Sequence, residues 1–415
     1  MRLLRARSAR QQNSCDSQSD LKLRVLIIAP YFYPAVLAGG PIQALGALTD
    51  RLQGEINFYV LALNHDLKQR KTFPNIADGT WGKSNGVYIR YEPDRRFTFR
   101  HYSRWIRETN PDVVYIKTFF SIRFCLVPVL MVLTMRRPRP QIILAPCGSL
   151  MFDALRFKRT KKAVYLFLYR LLRLPSRTHW HVTSTNEFDE LLHTFKNISS
   201  IHQASSIFPV SEMMPADYLT RSTDVVEKES GELRVIFISR ISPKKNLEYA
   251  IQRLASIRGS ITFTIAGPHE DAAYVSKCRE LARQLPSNVA ANFIGPISHD
   301  DISSLLARHH LFFLPTLAEN YGYVIVEAIA TATPVLISEG TPWRNLRALG
   351  LGFDLPLSDP RAFEEVLQYM CDLDNFNYLQ EVETMKMALP SFFKEQTALA
   401  DNLEMFRDVA SHKSV

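Results

Sequence analysis

The chain has 415 residues, 46% of them hydrophobic and 22% charged, with a formal net charge of +9. That composition excludes a low-complexity or fibrous protein, and the length suits two domains or more at roughly 150 residues each. Five cysteines (Cys15, Cys125, Cys147, Cys278, Cys371) are scattered without a Cys-x-x-Cys pair, which argues against a disulfide framework or zinc site and fits a reducing cytosol.

Residues 1–20 carry four arginines and no apolar core of signal-peptide type, so they read as a disordered leader. Residues 1–205 hold 31 Lys and Arg against 14 Asp and Glu, a net +17, and the remainder holds 19 against 27, a net −8. A basic amino half fits an anionic partner: a membrane surface, a lipid phosphate or nucleic acid.

The first strand is expected at Leu23–Ala29. It runs into Tyr31-Phe-Tyr-Pro-Ala-Val-Leu-Ala-Gly39-Gly40-Pro41, where paired glycines allow close backbone approach and Pro41 starts a helix. The pattern is not Gly-x-Gly-x-x-Gly, so no dinucleotide site is indicated. Strands follow at Ile56–Ala62, Asp112–Ile116, Gln141–Ala145 and Trp180–Thr183. Gly79-Thr-Trp-Gly-Lys-Ser84 has the tail of a phosphate loop, but Ala77 stands where its first glycine belongs. Two apolar segments have basic flanks. Phe124–Met135 is too short to span a bilayer and reads as a core helix. Lys158, Arg159, Lys161 and Lys162 precede Ala163–Leu172, with Arg173 and Arg177 after it. That second segment is either a core helix with a basic rim or a helix lying on lipid headgroups.

The polar stretch Ser222–Gly231 reads as a linker. Beyond it, strands are expected at Leu233–Ser239, Ile261–Ala266, Val289–Ile294, His310–Pro315 and Pro334–Ser338. Near-continuous apolar strands alternating with periodic helices predict doubly wound parallel sheets. Ser239-Arg-Ile-Ser-Pro-Lys-Lys245 follows the first of these strands. There Arg240 and Lys245 could clamp a diphosphate, though a basic surface loop would look the same. Ser298-His-Asp-Asp301 reads as a helix cap. His179, His181, His309 and His310 lack ligand spacing, and Asp372-Leu-Asp374 falls in a helical tail, so no metal site is expected.

The most informative stretch is Glu319-Asn-Tyr-Gly-Tyr-Val-Ile-Val-Glu327. Glu319 should end a buried parallel strand and Gly322 should open the next helix, a place that collects anions through free N–H groups and the helix dipole. Glu327 lies about two turns on, up to ~12 Å away at ~1.5 Å per residue. That is too far for both carboxylates to act on one bond, but it suits two parts of one elongated ligand. The plain alternative is a loop glutamate and a surface-helix glutamate. Gly340-Thr-Pro-Trp-Arg344 is a turn that could support the site wall.

Taken together, Ile238–Leu247, Leu314–Ala328 and Pro334–Ser338 resemble a retaining glycosyltransferase of family 4, over roughly residues 23–410. The resemblance implies the GT-B architecture: an α/β protein of two Rossmann-like doubly wound domains facing an interdomain cleft. It suggests an acceptor-side domain over 21–209, a nucleotide-sugar-binding domain over 210–390, and a final helix within 391–415 packing back on the first domain. It implies that Glu327 accepts hydrogen bonds from a ribose and Glu319 holds hydroxyls of the donor sugar. Amides near Asn320, Tyr321 and Gly322 would seat sugar and phosphate, Arg240 and Lys245 would neutralise the diphosphate, and Gly39 and Gly40 would approach it from the first domain. The implied partners are a nucleoside-diphosphate sugar as co-substrate and a saccharide or lipid-linked acceptor. Cell-surface polysaccharide synthesis follows, without metal, cofactor or nucleic acid. The implied location is the cytoplasm, with peripheral contact on the inner face of an anionic membrane. A nucleotide-sugar epimerase and a non-catalytic relative that binds a partner remain alternatives. Three residues depart from the pattern: Ala332 stands where glycine is usual before Thr-Pro, Val210 where asparagine is common, and Cys147 where a subfamily has arginine.

Overall fold

The computed structural model describes residues 22–412 apart from 70, 75, 152–154, 156–158, 196–206, 217, 219–224 and 396–397. The leader, Lys158 and residues 222–224 of the expected linker therefore lie outside the described residues. The chain divides into two compact units, Met1–Pro215 with Ala398–Val415, and Ala216–Thr397.

The first unit is built on an eight-stranded sheet. Its elements in order are β1 (Leu23–Ile28), α1 (Gly40–Leu52), β2 (Ile56–Leu63), β3 (Gly82–Ser84), β4 (Val87–Glu92), α2 (Phe99–Thr109), β5 (Val113–Ile116), α3 (Val127–Thr134), β6 (Gln141–Leu144), α4 (Arg159–Leu171), β7 (His179–Val182), α5 (Thr185–Phe195) and β8 (Ile207–Pro209). The strand order is β3-β4-β2-β1-β5-β6-β7-β8, parallel except for β3 against β4. Strands β1 and β5 are neighbours although α1 to α2 intervene, so the winding reverses between them. Val25–Ile28 and Val113–Ile116 are fully buried, as expected when helices cover both faces. The final helix α12 (Leu399–Ser411) belongs to this unit: Phe406 meets Phe58 and Tyr115 edge-on, with ring centroids 6.2 and 5.4 Å apart. Asn402 Nδ2 donates to the Ser211 carbonyl at 3.1 Å.

The second unit holds β9 (Glu232–Ile238), α6 (Leu247–Leu254), β10 (Ser260–Ala266), α7 (Ala272–Arg283), β11 (Val289–Gly295), α8 (His299–Leu306), β12 (Leu311–Leu314), α9 (Tyr323–Ala330), β13 (Val335–Ser338), β14 (Gly352–Leu355), α10 (Pro360–Asp372) and α11 (Asn375–Glu395). Its sheet runs β11-β10-β9-β12-β13-β14, wholly parallel, and reverses between β9 and β12. The buried Lys228 anchors the segment that leads into the sheet. Its ammonium donates to the carbonyls of Glu229, Glu232, Cys371 and Leu373 at 2.7–3.1 Å, joining the entry of β9 to the carboxyl end of α10.

Every strand read from the sequence is present to within one residue at each end. The missed strands are β3, β4, β8 and β14. In β4, Arg90 and Glu92 break the apolar run and are buried as a pair at 2.7 Å. The Gly79–Ser84 segment ends in β3, an exposed edge strand and not a phosphate loop. Phe124–Met135 forms core, with Phe124, Cys125, Val129, Met131 and Val132 buried. Ser298 caps α8 by accepting from the Asp301 N–H.

Candidate functional site

In an open α/β sheet, ligands collect at the carboxyl ends of strands where the order reverses. In the second unit that point lies between β9 and β12, and the loops leaving these two strands carry most of the expected site. After β9 the chain makes a turn at Pro243–Lys245, and Asn246 takes a left-handed conformation (φ 57°) before α6. This turn buries Lys245, whose ammonium pairs with the Glu319 carboxylate. The backbone locks the two loops together. Leu317 N–H donates to the Lys244 carbonyl at 2.8 Å, and Glu319 N–H donates to the Gly340 carbonyl at 2.7 Å. A side chain at Gly340 would meet the Leu317 carbonyl oxygen at 2.5 Å, so glycine is needed there for the loops to touch. Trp343 Nε1 donates to the Tyr321 carbonyl at 2.5 Å and packs edge-on against its ring. The Gly340–Arg344 turn therefore holds up the wall of the site.

Glu319 sits where its charge is well supported. Burial works against the carboxylate, but Lys245, helped by Lys244 and Arg240, more than offsets it and holds the carboxyl below the ordinary range. Arg240 is half-exposed and pairs with Glu270 at 2.9 Å. Gly322 opens α9 at φ 83°, and no side chain caps the first turn of that helix. Asn320 is partly buried and Tyr321 buried beside it. Glu327 is buried one turn into α9; it accepts from the Tyr218 hydroxyl at 2.8 Å and lies 3.3 Å from His299 Nδ1. It is therefore an inward-facing carboxylate and not the surface-helix glutamate of the plain alternative. The structure thus gathers Arg240, Lys245, Glu319, Asn320, Tyr321, Gly322 and Glu327 within one unit.

Gly39 and Gly40 lie in the other unit, where the loop after β1 runs into α1. Gly39 has φ 65° and precedes α1, which also has no side-chain cap. Asp66 shapes that loop by accepting from the Val36 and Leu37 N–H groups at 2.9 and 3.2 Å. Nearby strand ends carry a buried polar group that sequence reading passed over. Lys117, directly after β5, pairs with Glu212 at 2.6 Å, and this partner holds its ammonium charged against burial. Glu187 accepts from the N–H groups of Gly148 (2.5 Å) and Thr183 (2.9 Å), and burial raises its carboxyl despite these bonds. His181 is bridged between Tyr115 and the Val210 carbonyl, 2.8 Å to each. One signal was legible: Ser184-x-x-Glu187 is a capping-box spacing, and the Ser184 hydroxyl does accept from the Glu187 N–H at 3.2 Å. Lys117 could have been found as a charge abutting an apolar strand. Tyr218 and His299 left no local trace.

Two departures from the expected pattern have local explanations. Ala332 has φ 53° and occupies the left-handed position of a Schellman turn: Thr333 N–H reaches the Ala328 carbonyl at 2.9 Å and Ala332 N–H the Ile329 carbonyl at 3.0 Å. Alanine there costs about 1 kcal/mol relative to glycine, and the turn's two hydrogen bonds still form. At Cys147 the cation found in the subfamily is missing, but Lys117 lies within electrostatic reach of the thiol, which burial pushes up. Among the described residues, no group of three or more His, Cys, Asp or Glu side chains is placed to hold a metal ion.

Comparison with known proteins gives the same picture. Residues 220–369 match the family described as glycosyl transferases group 1. A D-inositol 3-phosphate glycosyltransferase of Mycobacterium tuberculosis is 31% identical over 103 residues, 25% of this chain and 22% of its own. The chain spans about a quarter of the length of the curated relatives it matches. Anabaena HepE, solved in complex with UDP and glucose, superposes with a TM-score of 0.64 at 14% identity, over 94% of this chain and 100% of its own. The lipopolysaccharide outer core galactosyltransferase WaaB superposes with a TM-score of 0.57 at 15% identity, over 93% and 99%. Residues 220–369 therefore carry a glycosyl transferases group 1 domain, and the chain has the two-sheet GT-B fold read from its sequence.

Proposed function

We propose that the protein is a retaining glycosyltransferase that moves a sugar from a nucleoside-diphosphate donor to a carbohydrate or lipid-linked saccharide acceptor in cell-surface polysaccharide synthesis. The observation that carries this reading is the Lys245–Glu319 pair at the reversal point of the second sheet, directly before a helix whose first turn has no side-chain cap. An ammonium has three N–H donors, so Lys245 can hold Glu319 and a phosphate oxygen together. Glu319 then accepts from hydroxyls of the donor sugar, and Glu327 accepts from the ribose. As the glycosidic bond to the diphosphate breaks, negative charge builds on the leaving oxygens. Lys245, Arg240 and the N–H groups opening α9 stabilise it electrostatically. These cations take the part a divalent metal would play, so we assign no metal or cofactor to the reaction.

The UDP and glucose held by HepE and the galactosyltransferase activity of WaaB support a hexose donor and a saccharide acceptor. The cysteines among the described residues are free thiols, which supports a cytoplasmic location. No helix of the described residues is long and apolar enough to cross a membrane, and we assign any membrane contact to the protein's surface.

Calorimetric titration with UDP, GDP and ADP tests the donor reading. One nucleoside diphosphate should bind, and Glu327→Ala should weaken it by roughly 1.5–3 kcal/mol, the value of a hydrogen bond to a charged group. Unchanged affinity in Glu327→Ala would remove the ribose role, and failure of all three to bind would remove the donor site.

A further inference from the structure

Helix α4 faces two ways. Tyr165 and Tyr169 pack inward on Phe119, with ring centroids 5.4 and 5.1 Å away, and the Tyr165 hydroxyl donates to the Phe119 carbonyl at 2.7 Å. The opposite side carries Val164, Phe167, Leu168, Leu171 and Leu172, which are 42–65% exposed. Their positions, i, i+3, i+4, i+7 and i+8, form one continuous apolar stripe on a helix. Scattered exposed apolar residues are ordinary, but a contiguous stripe marks a binding surface. The core-helix reading of this segment therefore holds for the face that carries Tyr165 and Tyr169, but not for this stripe, whose apolar residues stay exposed.

The charges around the stripe select its partner. Arg159, Lys161, Arg173 and Arg177 are exposed at or beyond its two ends, and no Asp or Glu occurs between Arg159 and Arg177. A second copy of this face would bring like charges together, and a neutral apolar partner would leave them unused. A bilayer with anionic headgroups satisfies both features, since apolar side chains enter the acyl boundary while lysine and arginine reach the phosphates. We propose that the outward face of α4 docks on an anionic membrane surface, with Phe167 and Leu171 inserted and Arg159, Lys161, Arg173 and Arg177 on the headgroups. The inference rests on exposure and charge and stands apart from the transferase reading.

Co-sedimentation of the full chain with phosphatidylcholine vesicles, with and without phosphatidylglycerol, tests it over a salt series. Wild type should bind the anionic vesicles, with affinity falling as salt rises from low to physiological. Each basic residue near the surface is worth about fivefold in partitioning, so Arg159→Gln, Lys161→Gln, Arg173→Gln and Arg177→Gln together should lower it by about a hundredfold or more. Phe167→Ser with Leu171→Ser should lower it by about tenfold or more at physiological salt. These side chains are exposed, so both variants should keep the wild-type melting temperature and nucleoside-diphosphate affinity. That retention separates failure of docking from failure of the donor site. Absence of binding to anionic vesicles at any salt would overturn the proposal. So would binding that the Phe167 and Leu171 changes leave intact, or a wild-type dimer that those changes dissociate.

Discussion

Gly322→Ala probes a constrained backbone position between Glu319 and α9. Gly322 has φ 83°, a conformation that costs an L-residue about 1–2 kcal/mol. An added Cβ would also sit 2.8 Å from Ile325 Cδ1 and 3.0 Å from Glu319 Cγ. Ile325 is fully buried and has little room to turn, so Glu319 should shift as well and its pairing with Lys245 should loosen. Strain of this second kind adds about 1–3 kcal/mol, as in an overpacked core. Gly231 supplies the control: φ is 79° and an added Cβ meets nothing within 4 Å. Gly231→Ala should therefore cost about 1 kcal/mol, a fall of roughly 2–4 °C in the melting temperature of a unit this size. Gly322→Ala should lower it by two to three times as much and should also weaken nucleoside-diphosphate binding about tenfold or more, because the displaced carboxylate loses its partner. Differential scanning fluorimetry and titration calorimetry on the two variants decide the matter. Equal melting shifts with unchanged affinity in Gly322→Ala would refute the claim that this glycine holds Glu319 in place.

Replacing Arg240 or Lys245 with Ala should weaken binding of a nucleoside diphosphate more than of the matching monophosphate, since both are assigned to the leaving group. Equal loss for both ligands in calorimetry would assign them a structural role instead. Transfer activity should survive excess chelator, and abolition by chelator with recovery on adding Mg²⁺ or Mn²⁺ would contradict the electrostatic role given to these cations. Burial lowers the pKa of both His181 and His310 to about 4, so each is neutral in the fold and takes up a proton on unfolding. Stability should hold above the ordinary histidine pKa of about 6.5 and fall between there and pH 4, by about 3 kcal/mol per histidine. Thermal melts across that range should show the decline, and His181→Gln should flatten it by about one proton; an unchanged slope would refute the assignment.

The sequence by itself determined the alternation of strands and helices, because strands covered on both faces must be largely apolar, as Val25–Ile28 and Val235–Ile238 are. It also placed Gly322 at a helix start and Ser298 at a cap, since these depend on residues a turn apart. It pointed to Arg240, Lys245 and Glu319 separately, as residues at strand ends. Only the tertiary structure showed that Lys245 and Glu319 form one pair, because β9 and β12 become neighbours through a reversal that no local pattern encodes. Strands β4 and β14 were illegible for a related reason: Arg90 with Glu92, and Asp354 with the N–H groups of Asn345 and Leu346, are satisfied by partners supplied by the fold. The same holds for α4. Its periodicity fixed an apolar stripe and a basic rim, but which stripe faces the core was settled by Tyr165 and Tyr169 packing on Phe119, which leaves Phe167 and Leu171 outside. Local patterns specify which residues share a face; only packing decides which face is left for a partner.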